Sequence, residues 1–246
     1  MPLSKKKFSA SAIAKIAVFT AIAFVLYLSK FNLPVIFPSF LEMQFSDLPA
    51  LIGGFVMGPV EGCLIIIFKG LLKLPLSSTG FVGELGDIII GICFVLPASL
   101  LFRVFKKNPH LRAGNLFAAL SLILSALIHI NGRQIKVREK TVLYREKESE
   151  IDVFFALLAG VLISMLAAVI VNRFLLVPFY VEFFFKGNFG ILLGIVAPLY
   201  PNVSIENFYS YYLSLAVVPF NLIRGGLSAA FTFLVYKRLG RFLDKF

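Results

Sequence analysis

Long apolar runs constrain this chain more than any other feature of its sequence. Phe8–Ser29, Leu48–Leu74, Phe81–Phe102, Val153–Pro178 and Tyr211–Tyr236 are each long enough to cross a hydrocarbon core about 30 Å thick, which takes about 20 helical residues. They predict a multi-span α-helical membrane protein, since the bilayer core leaves backbone polar groups no partners outside the chain. Composition agrees. Of 246 residues 59% are hydrophobic, and the mean hydropathy is +0.91, against roughly 45–50% apolar residues in an average globular chain. The Leu48–Leu74 block is too long for one span and carries Gly58-Pro59 in its middle. Proline lacks the backbone donor and clashes with the preceding turn, so this block predicts two short helices around a tight turn, with a single kinked helix as the alternative. The expected fold is an all-α bundle of six transmembrane helices in one integral membrane domain, residues 1–246.

The net charge of +11 is a topology signal. Of the 24 Lys and Arg, 18 fall in three segments: around Lys5–Lys15, within Arg103–Lys147, and from Lys237 to Lys245. A six-span topology puts all three on one side, and cationic loops stay cytoplasmic. The expected location is therefore the cell membrane, multi-pass, with both termini cytoplasmic, the bilayer as partner and no nucleic acid. Lys5-Lys6-Lys7 precede an apolar run longer than the roughly 7–15 residues of a signal peptide, which points to an uncleaved first helix. Between helices 4 and 5, Leu116–Ile130 is short for a span and is followed by the highly charged Arg133–Asp152. A seventh span here would put the basic C-terminus outside, so residues 115–151 are expected to be a cytoplasmic or interfacial insertion, with Gln134–Val137 and Thr141–Tyr144 as a candidate hairpin. His129 in this stretch has no partner motif. Cys63 and Cys93 fall inside spans and are expected to be packing residues, with no metal or disulfide.

Small residues recur every fourth position. Ala17 and Ala21 do so in the first helix, where Ala10 and Ala14 extend the same Ala-rich face, Ala50, Gly54, Gly58 and Gly62 across the Gly-Pro turn, and Ala156, Gly160, Ser164 and Ala168 in the fifth helix. That spacing sets them on one face, where backbones can approach closely in lipid. Intramolecular packing accounts for most; the first-helix face, with Ala17 and Ala21, is the candidate for docking a partner. Polar residues inside spans are costly and mark cavities or partners. Asn172 continues the fifth-helix stripe, and Asn221 and Arg224 lie three apart in the sixth helix. Asp47 and Glu84 open helices, where the dipole favours a carboxylate, and capping explains Ser46-Asp47 as well as ligand binding does. Two amides, a guanidinium and an aromatic-rich rim suit a planar hydrogen-bonding ligand. The outward connections, Lys30–Ser46, Pro75–Gly80 and Tyr180–Ser210, are the loops where ligand contacts are expected.

No Gly-x-x-x-x-Gly-Lys-Ser/Thr, His-Glu-x-x-His or Gly-x-Ser-x-Gly sequence occurs, and the only two histidines are His110 and His129. ATP hydrolysis through a P-loop is excluded, so uptake would need energy from another subunit. No resident cofactor is expected.

Several motifs, in order, carry a resemblance. Phe45-Ser46-Asp47-Leu48-Pro49-Ala50 through Gly58-Pro59 resembles the second-helix signature of riboflavin-specific S components of energy-coupling factor (ECF) transporters. Ser77-Ser78-Thr79-Gly80 with Val82-Gly83-Glu84-Leu85-Gly86-Asp87 is similar to the third loop and fourth-helix start, and Phe94–Ser99 continues the match. Asn172-Arg173-Phe174 with Val177-Pro178-Phe179-Tyr180, and Val218-Pro219-Phe220-Asn221-Leu222-Ile223-Arg224-Gly225, resemble the fifth- and sixth-helix motifs. The resemblance implies capture of riboflavin, with FMN as a second candidate, and docking on one membrane T component with two ATPase subunits. It implies flavin contacts at Asn172, Asn221 and Arg224 and in the loop at Leu41, Gln44 and Ser46; Asp47 and Glu84 complete the candidate set. Arg224 stands where lysine is usual and Asp87 where asparagine is common. Residues 115–151 have no counterpart in the pattern. The alternatives are an S component for thiamine, folate or biotin, an intramembrane enzyme using Glu61, Glu84 or Asp87, and a scaffold without a ligand.

Overall fold

The computed structural model describes residues 9–107 and 150–243. The expected insertion at 115–151, its candidate hairpin, His129 and the lysines at 5–7 lie outside the described residues, apart from Glu150 and Ile151. Helix α1, Ala10–Leu28, is capped by Ser9, whose side chain accepts from the Ala12 N–H at 3.2 Å. The loop that follows folds back through two-residue antiparallel strands, β1 Phe31–Asn32 and β2 Glu42–Met43, a small departure from an all-helical chain. The long second block breaks where expected. Helix α2, Leu48–Val56, and α3, Pro59–Lys73, flank Gly58, whose φ of 139° is a conformation L side chains rarely adopt. Helix α4 is Val82–Lys107, and α5 runs Glu150–Phe184. Helix α6, Phe189–Val196, occupies part of the stretch expected to be connection, making seven helices among the described residues. Helix α7 opens at Phe208–Tyr211, passes through a π-helical segment at Tyr212–Val217 and continues as Val218–Leu243. Helices α1, α4, α5 and α7 are long and apolar enough to cross a membrane.

Helix α5 runs on past Pro178, where it was expected to stop, and α7 opens at Phe208, just before the expected Tyr211; both carry a proline inside the helix. Pro178 and Pro219 each crowd the carbonyl four residues earlier and donate nothing to it. In α5 that carbonyl belongs to Phe174, inside a π-helical segment at Asn172–Leu176. In α7 it belongs to Leu215, inside Tyr212–Val217. The wider π turn relieves the clash without ending the helix. The Leu215 carbonyl accepts from the Tyr200 hydroxyl at 3.3 Å, and that hydroxyl also lies 3.2 Å from the Ile36 carbonyl. Partial burial pushes the Tyr200 phenol above its usual pKa.

Small residues do the packing. The Gly54 and Gly62 faces do not form one stripe across Gly58; they meet across the α2–α3 hairpin. A methyl on Gly62 would lie 2.9 Å from Gly54 Cα and 3.0 Å from the Ala50 carbonyl. One on Gly160 would lie 2.8 Å from the Phe94 carbonyl, so the α5 stripe seats α4. Ala10, Ala14, Ala17 and Ala21, by contrast, are all exposed, and α1 buries only Ile16, Thr20, Ala23 and Tyr27. One apolar core centres on Ile65, Val95, Ala98 and Phe102; a second, built from Ala168, Leu192, Phe208 and Val217, surrounds the other end of the bundle.

Candidate functional site

A cavity of about 420 Å³ opens at that second end, between α3, α4, α5 and α7 and beneath the loop that holds β1 and β2. On α5, Asn172 is 3% exposed. Its Nδ2 donates to the Ala168 carbonyl at 2.8 Å, and its Oδ1 accepts from the Tyr212 hydroxyl at 2.8 Å. On α7, Asn221 repeats the first of these bonds, Nδ2 donating to the Val217 carbonyl at 2.8 Å. Each amide is thereby clamped to the carbonyl four residues back, which fixes its plane at the cavity wall. Among the described residues one N–H of each amide has no acceptor, and the Asn221 oxygen receives no donor.

One turn beyond Asn221, Arg224 holds two carboxylates. Nη1 donates to Asp87 Oδ1 at 3.0 Å and Nη2 to Asp47 Oδ2 at 3.2 Å. Asp47 also pairs with Lys69, whose Nζ donates to Ser46 Oγ at 2.6 Å. Asp87 accepts from the Tyr27 hydroxyl at 2.6 Å and from Gln44 Nε2 at 2.8 Å; Gln44 Oε1 accepts from Ser46 at 3.1 Å. Two cations and two carboxylates balance. Charge buried in this way is tolerated because every member is paired and hydrogen-bonded. The network ties α1, α2, α3, α4 and α7 together at the cavity floor.

Of the expected set, Leu41, Gln44, Glu84, Asn172, Asn221 and Arg224 line the cavity. Ser46 and Asp47 stand behind it. The Asp47 side chain makes no capping bond to α2 and is spent on Lys69 and Arg224. Glu84 is held in the wall by Ser77 Oγ at 2.6 Å and Thr79 Oγ1 at 2.8 Å. Sequence reasoning missed Tyr27, Lys69, Lys73 and Tyr212. For the two lysines a signal was present: cations four apart in an apolar span are expensive there and face the protein interior. Nothing in the sequence distinguishes Tyr212 from the aromatic residues around it.

Fold and cavity together define a class: a helical membrane protein with a cavity lined by amides, charges and aromatic rings at one end of its bundle. The chain belongs to the substrate-specific components of ECF transporters, whose family model matches residues 11–236. It is 24% identical over 230 residues to the riboflavin transporter RibU of Staphylococcus aureus (strain TCH60), covering 94% of this chain and 90% of that protein. It is 32% identical over 120 residues to the riboflavin transporter FmnP of Bacillus subtilis (strain 168), covering 47% of this chain and 63% of that one. In fold it is similar to a solved S component of a bacterial ECF transporter, with a TM-score of 0.58 at 24% identity over 95% of this chain and 98% of the other.

Proposed function

We propose that this chain captures riboflavin from outside the cell and delivers it by docking on a T component that carries two ATPase subunits. The observation that carries this reading is the pair of clamped amides, Asn172 and Asn221, facing one cavity within the about 300–1,000 Å³ range of small-molecule sites. An isoalloxazine presents alternating donors and acceptors along one edge, which amides with fixed planes match. Two relatives named as riboflavin transporters support the same ligand. FMN, which shares the ring, is a second ligand of the same site. The chain supplies no nucleotide hydrolysis of its own and needs no cofactor. The exposed Ala17 and Ala21 face of α1 is the docking surface for the T component, because a flat face of small residues admits a close partner helix. In the bilayer, α1, α2, α3, α4, α5 and α7 serve as six spans with both termini cytoplasmic, as the cationic segments require, and residues 115–151 form a cytoplasmic or interfacial insertion. Titration of the purified protein against riboflavin, followed by quenching of flavin fluorescence, tests the ligand. Saturable quenching with one site is expected; no quenching, alongside binding of thiamine, folate or biotin, would replace riboflavin as the ligand.

A further inference from the structure

Among the described residues three cations line the cavity: Lys30, Lys73 and Arg224. Lys30 pairs with Glu42 at 2.6 Å, and Arg224 bridges Asp47 and Asp87. Lys73 forms no ion pair among the described residues. Its contacts are the Leu76 carbonyl at 3.4 Å and the Tyr27 ring, 5.8 Å from the ammonium. The contrast with Lys69 is instructive. Lys69 lies one turn earlier on the same face of α3, 5.5 Å from the same ring, and is neutralised by Asp47. Lys73 is 8% exposed and has no such partner. A buried ammonium without a carboxylate is costly, and the carbonyl and ring offset only part of that cost. A site that keeps one is incomplete until a ligand brings acceptors to it.

The same wall shows which acceptors. Ser78, Thr79 and Glu84 line the same cavity as Lys73, and the Glu84 carboxylate, held by Ser77 and Thr79, is an acceptor in its wall. This wall interleaves a donor with an acceptor, the pattern that a chain of hydroxyls satisfies because each hydroxyl both donates and accepts. The amides of Asn172 and Asn221 lie on different elements, α5 and α7, and suit a flat heterocycle. We infer that Lys73 is a specificity-determining contact that reads the hydroxylated side chain of the ligand, while the two amides read its ring. This rests on the riboflavin reading and adds a residue and a division of labour to it.

The test uses the full-length protein in detergent and two ligands: riboflavin, and lumiflavin, which has the ring and a methyl in place of the polyol. Lys73→Met removes the charge and keeps the length of the side chain. Riboflavin affinity should fall roughly 10- to 100-fold, as for a lost hydrogen bond to a charged group. Lumiflavin affinity should stay within about twofold, which also shows that the variant is folded, and Lys73→Arg should restore most of the riboflavin affinity. Equal weakening of both ligands, or of neither, overturns the assignment of Lys73. If Lys73→Met gives no folded protein, Lys73→Gln takes its place with the same ligands and the same criteria. The unaltered protein separates the two levels. Lumiflavin bound as tightly as riboflavin removes the polyol contact alone, whereas neither flavin bound removes the riboflavin reading itself.

Discussion

Arg224 carries two carboxylates on one guanidinium, and that is a task for a planar fork. A lysine has a single nitrogen and reaches Asp47 or Asp87, not both. Arg224→Lys should therefore cost one charge-assisted hydrogen bond, about 1–3 kcal/mol, since Asp47 keeps Lys69 and Asp87 keeps Tyr27 and Gln44, although lysine is usual at this place in the S components the sequence resembles. Asparagine is common there at the position of Asp87, so the two departures compensate each other. Adding Asp87→Asn to Arg224→Lys should recover much of the stability, with a coupling of about 1 kcal/mol or more between the sites. Thermal unfolding of the four proteins measures that coupling, and simply additive losses would dismiss it. The amides give the complementary prediction. Asn172→Ala and Asn221→Ala should each weaken riboflavin binding by about 1–3 kcal/mol, or roughly five- to 150-fold. Tyr212→Phe should weaken it less, because Asn172 keeps its bond to the Ala168 carbonyl. Titrations that leave all three unchanged would move the ligand elsewhere. Asn172, Asn221 and Arg224 were legible in the sequence because polar groups stand out in apolar helices. Asp47 was a candidate too, but the network around Arg224 was not legible, since Tyr27, Asp47, Lys69 and Asp87 converge from four separate elements, and spacing along one helix says nothing about a meeting between helices.

Elements were legible where the signal is local. Gly58-Pro59 breaks the second block because the backbone turns there through a positive φ and proline opens the next helix. The end of α5 was not legible, because Pro178 normally bounds a helix and the π turn before it lets this one continue, whereas Pro219 fell inside the expected Tyr211–Tyr236 span and does not interrupt it. Small residues predict close approach without naming the neighbour. The structure names it for Gly62, whose added methyl would sit 2.7 Å from Val95 Cγ1 and 2.9 Å from Gly54 Cα. Backbone on one side cannot yield as a side chain does. Gly62→Ala is expected to destabilise the protein by about 1–3 kcal/mol, as overpacked cores are, and to lower its unfolding midpoint in detergent. Gly226→Ala is the control. Nothing lies within 4 Å of its added methyl, so it should leave the midpoint unchanged or raise it. Equal effects at the two glycines would mean that α2 and α3 are not packed backbone to backbone.

At the scale of the molecule the charges and the exposed face of α1 make separate demands. The three cationic segments predict a cytoplasmic 115–151 region, so a cysteine introduced at Ser149 should resist a membrane-impermeant thiol reagent in intact cells; ready labelling there would reverse the topology. The face of Ala10, Ala14, Ala17 and Ala21 poses a different question, because it is exposed while every other stripe of small residues picked out by spacing is buried against a neighbouring helix. Lipid gives no reason to keep such a face free of large side chains, whereas the rest of exposed α1 carries Ile13, Val18, Ile22 and Val25. A partner helix does give one, since small residues let two backbones approach and gain van der Waals contact that lipid cannot match. The cavity is remote from this face in chemistry as well as place: it depends on α3, α4, α5 and α7, and α1 contributes Tyr27 near its end. Ala17→Leu should accordingly leave riboflavin affinity within about twofold and abolish most ATP-driven uptake in proteoliposomes that also hold the T component and both ATPases, because three added carbons hold the helices apart. The unaltered chain alone should bind riboflavin in those vesicles without accumulating it. Uptake that survives Ala17→Leu and Ala21→Leu together would show that the alanine face meets lipid, and that the T component docks on a different surface of the bundle.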